Sequence, residues 1–152
     1  MRESGILFPI SSLPSKYGIG CFSKEAYEFV DFLKESGQGY WQILPLGPTG
    51  YGDSPYQALS AFAGNPYFVA PDKLIEEGLL SYDEANSFDF GSNSERVDYG
   101  ALYFNRSVIL AKARDRFFER VSTDKGLEQK YNRFLKKEEY WLTDYEGGEV
   151  KR

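Results

Sequence analysis

The sequence predicts an α/β fold, and two observations lead to this prediction. Two short apolar runs typical of strands, residues 5–8 and 40–46, flank a segment whose apolar residues recur at helical spacing. A strand, a helix and a strand in this order form a βαβ unit, which implies parallel strands and a right-handed crossover. The composition then changes, because all seven prolines lie in residues 1–71 whereas 31 of the charged residues lie in residues 71–152. We therefore expect β/α units in residues 1–70 and a mainly helical extension after them.

The first helix is predicted from its two ends. Ser23 can act as the N-cap, and Glu25 places an acid in the first turn, where the helix dipole favours it. Gly37 supplies the left-handed residue that commonly follows the last turn. The apolar positions between these ends are spaced for one helix face: Ala26, Phe29, Val30 and Leu33.

After the second strand and a long loop, we predict a short third strand and four helices. The strand is expected over residues 66–70, because an apolar run there follows a turn-forming Asn-Pro pair. Hydrophobic periodicity and capping residues then locate the helices. In chain order these are residues 73–77 between the cap Asp72 and the stop Gly78, a short helix with the capping box Ser81 and Glu84, residues 98–118, and residues 123–137.

The composition excludes several classes of chemistry and of partner. The chain has no histidine and one cysteine, so by itself it cannot form a Ser-His-Asp nucleophile, a His-ligated zinc site or an internal disulfide. A net charge of −5 without a basic cluster argues against binding to nucleic acid or to anionic membranes. We find neither the apolar run of a signal peptide nor a stretch of about 18 apolar residues. We therefore expect a soluble, cytoplasmic protein.

The loop over residues 47–65 carries the candidate site. It presents tyrosines beside short polar side chains at the carboxyl end of the second strand, where parallel α/β folds place their sites. Aromatic faces can stack against pyranose C–H groups while polar neighbours hydrogen-bond the sugar hydroxyls, so the pattern favours a sugar. The glycines of the loop lack the spacing of a phosphate cradle. The candidate residues are Tyr51, Asp53, Ser54, Tyr56 and Gln57.

The residues alone leave a second interpretation of this loop open. Asx turns at Asp53 and Asn65 would hold a turn-rich loop whose tyrosines, Tyr51 and Tyr56, cover the core. Asp53 is the one acid of the loop, and glycoside chemistry needs two carboxylates. A turn is therefore favoured over catalysis at Asp53.

Two other features have structural interpretations. Cys21 lies just ahead of the first helix, where a thiolate is favoured, but the chain has no histidine to activate it, so a packed or partly exposed thiol is expected. A basic run near the end of the first long helix is balanced by Asp115 and Glu119 and is interpreted as a solvated helix face. The basic residues are Lys112, Arg114, Arg116 and Arg120.

Several segments, in order and at matching spacing, resemble one known family. The similarity is dense over residues 4–80 and continues more loosely to Trp141 and Tyr145. The segments resemble the amino-terminal region of the 4-α-glucanotransferases, which are the amylomaltases or disproportionating enzymes of glycoside hydrolase family 77. They are SGIL (4–7), SLPSKYGIG (12–20), AYEFVDFL (26–33), YWQILPLGPT (40–49), YGDSPYQ (51–57) and SAFAGNPY (60–67).

The resemblance implies a (β/α)8 barrel with a helical insertion, of which this chain carries the amino-terminal portion. It also implies transfer of α-1,4-glucan segments between maltooligosaccharides and glucose by a retaining double displacement, without a metal or cofactor. The catalytic carboxylates of the family lie downstream of the matched region, so no catalytic residue is assigned. By resemblance, Ser54 and Tyr56 line the donor sugar subsites, Tyr51 belongs to a secondary glucan-binding position, and Asp53 and Gln57 support them.

The last residues depart from the family pattern. After Tyr145 the sequence continues as EGGEVKR, where the family has another apolar helical stretch. Eight β/α units also need about 200 residues or more, so we expect a truncated gene product, a fragment or an early frame change. The alternative function is a non-catalytic glucan-binding fragment or an inactive product. An incomplete barrel leaves strand edges and apolar faces uncovered, so self-association is expected.

Overall fold

The computed structural model describes residues 2–50, 52–91, 93 and 95–149, with side chains as far as Tyr145. Two short strands and α1 come first, and four further helices follow the long loop. The bounds are β1 Gly5–Leu7, α1 Lys24–Glu35, β2 Tyr40–Gln42, α2 Pro71–Glu76, α3 Tyr82–Asn86, α4 Tyr99–Thr123 and α5 Lys125–Glu149, with 3-10 turns at Ile10–Ser12 and Pro66–Phe68.

The βαβ unit is confirmed. β1 and β2 pair in parallel with Ile6 opposite Trp41, and α1 connects them. The two ends of α1 lie where the sequence predicts them, since Ser23 occupies the N-cap position and Gly37 follows with φ of 69°. The Ser23 side chain makes no capping hydrogen bond to the helix backbone and donates to Glu25 instead. Each strand has three residues and is shorter than predicted.

Residues 66–70 do not form the predicted strand. Pro66–Phe68 is a 3-10 turn, and α2 begins soon afterwards at Pro71. The side chain of Asn65 accepts a hydrogen bond from the Tyr67 amide at 2.9 Å, and Pro66 has the φ that the first residue of a helical turn requires. These local interactions curl the backbone away from an extended conformation, so the third-strand prediction was wrong.

The helices after residue 70 are longer than their sequence patterns predicted. α2 begins one residue before the predicted cap Asp72, α4 extends to Thr123, and α5 extends to Glu149 instead of ending near residue 137. The capping box at Ser81 and Glu84 is confirmed. In the part of the chain that the structure describes, no helix is both long enough and apolar enough to span a membrane.

The main core joins the amino-terminal segment to the helices. Tyr17 and Ile19, which precede α1, pack with Leu102 and Ile109 of α4 and with the α2–α3 segment. The Tyr17 hydroxyl donates a hydrogen bond to Asp72 at 2.7 Å. A smaller cluster of Ile10, Leu13 and Ala26 lies against Phe8, Phe29, Trp41, Leu46 and Phe68. Leu46 and Phe68, which flank the loop that follows β2, are therefore both held in this cluster.

The basic run of α4 is only partly the solvated face that the sequence predicted. Arg114 pairs with the exposed Asp115. Arg116, however, makes a bidentate ion pair with Glu84, both contacts at 2.7 Å, and donates to the Leu79 carbonyl. Arg120 donates to the carbonyls of residues 77 and 78, just after α2. Lys112 also lies 3.7 Å from a Glu84 carboxylate oxygen. Three of the four basic residues therefore tie α2 and α3 to α4.

Acid should weaken the link between α3 and α4. The bidentate contact with Arg116, together with the Ser81 amide, lowers the pKa of Glu84 from 4.5 to about 2. Because the unfolded chain takes up this proton first, the stabilisation is complete above pH 4.5 and is lost as the pH falls towards 2. We expect the Tm difference between the native chain and Glu84→Gln to shrink over that range in circular dichroism melts.

A matched control is Asp115→Asn, which removes an exposed carboxylate from the same helix α4. Its Tm difference from the native chain should change far less between about pH 5 and pH 2 than that of Glu84→Gln. A Glu84→Gln difference that stays constant over this range would show that this ion pair contributes nothing to the folded state.

Candidate functional site

The loop after β2 is closed at its base by backbone hydrogen bonds. The Asn65 amide donates to the Leu46 carbonyl at 2.7 Å, and the Leu59 amide donates to the Pro48 carbonyl at 3.1 Å. Gly47 lies so close to the returning segment that a Cβ there would be 2.6 Å from the Cβ of Ala58. The two ends of this long loop therefore lie together. Residues 47–65 form one closed segment, which we call the lobe.

The described residues of the predicted site, Asp53, Ser54, Tyr56 and Gln57, lie on two consecutive turns of this lobe. The Asp53 amide donates to the Gly50 carbonyl and the Gln57 amide donates to the Ser54 carbonyl, each at 3.1 Å. Asp53 has φ of 54° and is the one non-glycine residue with a positive φ among the described residues. Short polar side chains such as Asp tolerate this left-handed conformation.

The turns separate the side chains into two groups. Asp53 and Ser54 are half-buried, whereas Gln57 is exposed and Tyr56 retains 74% of its accessible surface. The alternative interpretation of the loop required Tyr56 to cover the core. Tyr56 is too exposed to do so. Tyr51 lies outside the described residues.

A small cavity lies beneath the lobe, between the loop and the segment that follows β1. Its volume is about 40 Å³, which is room for a few water molecules or a hydroxyl group. Asp53 reaches this cavity, while Ser54, Tyr56 and Gln57 lie outside its wall. The polar residues of the wall are Ser11, Thr49, Asp53, Asn65, Tyr67 and Tyr99.

The charge of Asp53 affects the pKa values of two tyrosines in the wall of this cavity. Burial raises the pKa of the Asp53 carboxyl. Burial, and after it the charge of Asp53, raises the pKa of Tyr67 and of Tyr99, whose rings are 6.3 Å apart. The loop therefore holds a partly desolvated carboxylate next to two tyrosines, an arrangement that can accept hydrogen bonds from hydroxyl groups.

The outer side of the lobe packs against the far end of α5. The Phe62 ring lies edge-on to Tyr140 at 5.4 Å and stacks with Trp141 at 6.1 Å between centroids. The Trp141 indole nitrogen donates to Glu138 at 2.8 Å. The last helix of the described chain thus supports the lobe, and the sequence pattern of α5 did not predict that contact.

The described residues show no other reactive centre. They contain no group of three acidic or cysteine side chains that could hold a metal ion. Cys21 is a free, buried thiol, and burial raises its pKa above the ordinary value. Of the two alternatives expected for Cys21, a packed or a partly exposed thiol, the structure shows the packed one.

Tyr99 is the site residue that sequence reasoning missed. It begins α4, 34 residues after Asn65, and no local spacing relates it to the loop. Tyr67 belonged to a matched segment but received no role. Both line the cavity beside Asp53, so the wall of the site comes from three separate parts of the chain.

The chain is similar to proteins of known type over nearly all of its length. Residues 8–146 match the family model described as 4-alpha-glucanotransferase. A 4-alpha-glucanotransferase of Streptococcus pneumoniae is 50% identical over 141 residues, which cover 93% of this chain and 27% of that protein. The 4-alpha-glucanotransferase of Thermus thermophilus is 45% identical, over 95% of this chain and 27% of that protein.

A solved structure gives the same result. The amylomaltase from Streptococcus agalactiae in complex with acarbose superimposes with a TM-score of 0.88 at 45% sequence identity, covering 95% of this chain and 28% of that one. The chain therefore spans little more than a quarter of the length of the proteins that it matches.

Proposed function

Because the chain belongs to the 4-alpha-glucanotransferase family, glycoside hydrolase family 77, we propose that it supplies an α-1,4-glucan-binding loop to an enzyme that transfers glucan segments between maltooligosaccharides. The observation that carries this proposal is the exposed ring of Tyr56 beside Ser54 and Gln57, at the carboxyl end of the parallel strand β2. Parallel α/β folds place their sites at that end of the strands.

Each residue of the lobe has a role in this proposal. The face of Tyr56 stacks against the C–H groups of a glucose unit, while the Ser54 hydroxyl and the Gln57 amide hydrogen-bond its hydroxyl groups. Asp53 supports these residues from the cavity side. Tyr51 belongs to a secondary glucan-binding position, as the family resemblance implies.

The transfer chemistry requires more than this lobe. A retaining double displacement uses two carboxyl groups about 5–5.5 Å apart, one as nucleophile and one as acid/base. Asp53 is the single carboxylate of the cavity wall among the described residues. We therefore assign substrate binding, and no catalytic step, to the loop. Proton transfer by carboxyl groups needs no metal or cofactor.

The same observation favours a second candidate function, in which this chain binds glucan without transferring it. The two candidates differ in what a longer protein that contains this chain does with maltotriose: it redistributes the sugar under the first and leaves it unchanged under the second. Redistribution of maltotriose into glucose and longer oligosaccharides by the pure chain itself would overturn the binding-only function.

The architecture fits the first part of a (β/α)8 barrel. In this proposal β1 and β2 are neighbouring barrel strands, the lobe after β2 is a loop at the carboxyl face, and residues 71–152 form a helical insertion. The location is cytoplasmic, and neither nucleic acid nor a membrane is a partner, in keeping with a net charge of −5.

Self-association is also part of the proposal. Leu7, Tyr27, Val30 and Phe32 expose half or more of their surfaces on β1 and α1. Exposed apolar side chains in such numbers favour contact with a second copy. Sedimentation velocity at two protein concentrations tests this, and a concentration-independent monomer would contradict it.

Removing the Tyr56 ring should weaken glucan binding. Loss of one stacking ring costs about 1.5 kcal/mol, which is about tenfold in Kd. We expect this change for Tyr56→Ala when maltoheptaose is titrated into the chain and followed by NMR. Tyr56→Phe keeps the ring and should bind within about threefold of the native chain.

The matched control is Tyr82→Ala, which removes a similarly exposed tyrosine from α3, away from the lobe. Its affinity should equal that of the native chain. If the native chain shows no binding at millimolar maltoheptaose, or if both alanine variants bind like the native chain, the lobe is not a glucan-binding site.

A further inference from the structure

A fully buried arginine lies behind the glucan-binding loop. Arg106 is in the first half of α4 and exposes none of its surface. One terminal nitrogen, Nη2, donates to the Tyr67 carbonyl at 2.9 Å and to the Val69 carbonyl at 2.6 Å. A buried guanidinium is costly unless its N–H groups find acceptors, so this placement requires an explanation.

The remaining groups around Arg106 do not supply one. Its Nε and Nη1 atoms have no hydrogen-bond partner among the described residues. The face of Tyr17 lies 6.0 Å from the guanidinium carbon, and the Cys21 thiol is also close enough to interact with its charge. Leu102 and Ile109, which are on the same helix and equally buried, fill the core without any charge. Packing alone would therefore be served by an apolar side chain.

The two carbonyls that Arg106 binds belong to the closing end of the loop. Asn65, which lies just ahead of them in the chain, donates its amide to Leu46 and so closes the base of the lobe. The carbonyl of Phe68, between them, accepts a hydrogen bond from the Phe22 amide at 3.1 Å. The 3-10 turn leaves the carbonyls of residues 67 and 69 directed at α4 without strand partners, and buried carbonyls need donors.

We propose that Arg106 is a positioning residue for the glucan-binding loop: it holds residues 65–69 against α4 and thereby sets the position from which Tyr56 meets a glucan and Asp53 supports it. This inference rests on the proposed function, because it concerns the same lobe. Arg106 does not touch the sugar in this scheme. It acts through the Tyr67 and Val69 carbonyls, and through Asn65, on the lobe that they close.

Two substitutions of Arg106 remove different hydrogen-bond donors. Arg106→Met keeps a long side chain but has no donor, so both carbonyls are left unpaired. Arg106→Lys retains a cation and donors at the end of a long side chain, and it eliminates the two nitrogen atoms whose N–H groups have no partner. The lysine variant should therefore preserve the loop, although it lacks the guanidinium.

The experiment compares both variants with Arg116→Met in the isotopically labelled chain. Arg116 is also on α4 and also donates to a carbonyl, that of Leu79, but far from the lobe in the chain. Maltoheptaose affinity is measured by NMR titration, and amide hydrogen exchange is followed at Asn65, Phe68 and Val69. Exchange at these amides reports the closing end of the loop, which general destabilisation does not select.

We expect Arg106→Met to weaken maltoheptaose binding at least about fivefold and to accelerate exchange at residues 65–69 more than at α3. Arg106→Lys should bind within about twofold of the native chain. Arg116→Met should lower the Tm while leaving affinity and exchange at residues 65–69 unchanged. Equal effects of the two methionine variants on affinity and on exchange would overturn the proposal, since Arg106 would then be structural only.

The proposal can also be tested if Arg106→Met does not fold or if the native chain does not bind glucan. If Arg106→Met does not fold, a folded Arg106→Lys that binds glucan and keeps residues 65–69 protected supports the proposal, and a folded Arg106→Lys that does neither overturns it. If the native chain binds no glucan, the proposed function fails. The exchange measurement still tests the anchor, which is overturned if residues 65–69 exchange equally in all variants.

Discussion

Gly20→Ala should destabilise the chain by about 3 kcal/mol or more. A Cβ at this position would lie 2.0 Å from the Ile10 carbonyl oxygen and 2.7 Å from the Leu13 amide nitrogen. Both are backbone atoms, which cannot move aside as the end of a flexible side chain can. The Gly20 amide also donates to the Ser11 carbonyl at 3.1 Å, so the two segments cannot separate without losing this bond.

The expected consequence reaches the site, because Ile10 and Ser11 line the cavity beneath the loop. Chemical denaturation and thermal melts measure the loss, which corresponds to a Tm decrease on the order of 10 °C for a chain of this size. Gly64→Ala is the control, since a Cβ added at Gly64 would meet no atom within 4 Å. That variant should stay within about 0.5 kcal/mol of the native chain, and an equal loss in both would show that close approach at Gly20 is not the cause.

Ile109→Ala should destabilise the chain by about 2–5 kcal/mol. Ile109 is completely buried on α4, in the cluster that joins Tyr17 and Ile19 to the helices. Truncation removes apolar contacts and leaves a cavity that the packed neighbours cannot fill. Urea denaturation measures the free energy of unfolding.

The adjacent Val108 provides the control, because it is on the same helix and 44% exposed. Val108→Ala should cost less than about 1 kcal/mol. A small loss for Ile109→Ala would mean that the amino-terminal segment and the helices are not held by this core.

The parts of the fold that the sequence predicted are those with local signals. α1 has a serine at the N-cap position, a helical apolar spacing and a left-handed glycine close together in the chain. The capping box of Ser81 and Glu84 is equally local. The family resemblance was likewise recognisable because its segments are contiguous.

Two wrong predictions, the strand at residues 66–70 and the early end of α5, concern segments whose structure depends on distant residues. Residues 66–70 have the composition of a strand, but a strand requires a partner, and the Asn65 side chain offers the Tyr67 amide a local alternative. The far end of α5 is supported by the contact of Trp141 with Phe62, which no periodicity within α5 can reveal. Local patterns cannot identify interactions that depend on distant residues.

The candidate site divides in the same way. Asp53, Ser54, Tyr56 and Gln57 were identified because they are close in sequence and chemically suited to a sugar. Tyr99 and Arg106 were not, since they reach the loop only after α4 has packed against it. Glu84 and Arg116 are a third example, a pair separated by 32 residues whose sequence neighbourhoods suggested only a cap and a solvated face.

The position of Arg106 in the chain has a consequence for biosynthesis. The arginine follows Tyr67 by 39 residues, so the ribosome completes the loop well before it adds the side chain that holds it. At about 5–20 residues per second, this interval lasts roughly 2–8 s. During that time the nascent loop lacks its anchor, and its final geometry is acquired only when α4 emerges and folds onto it.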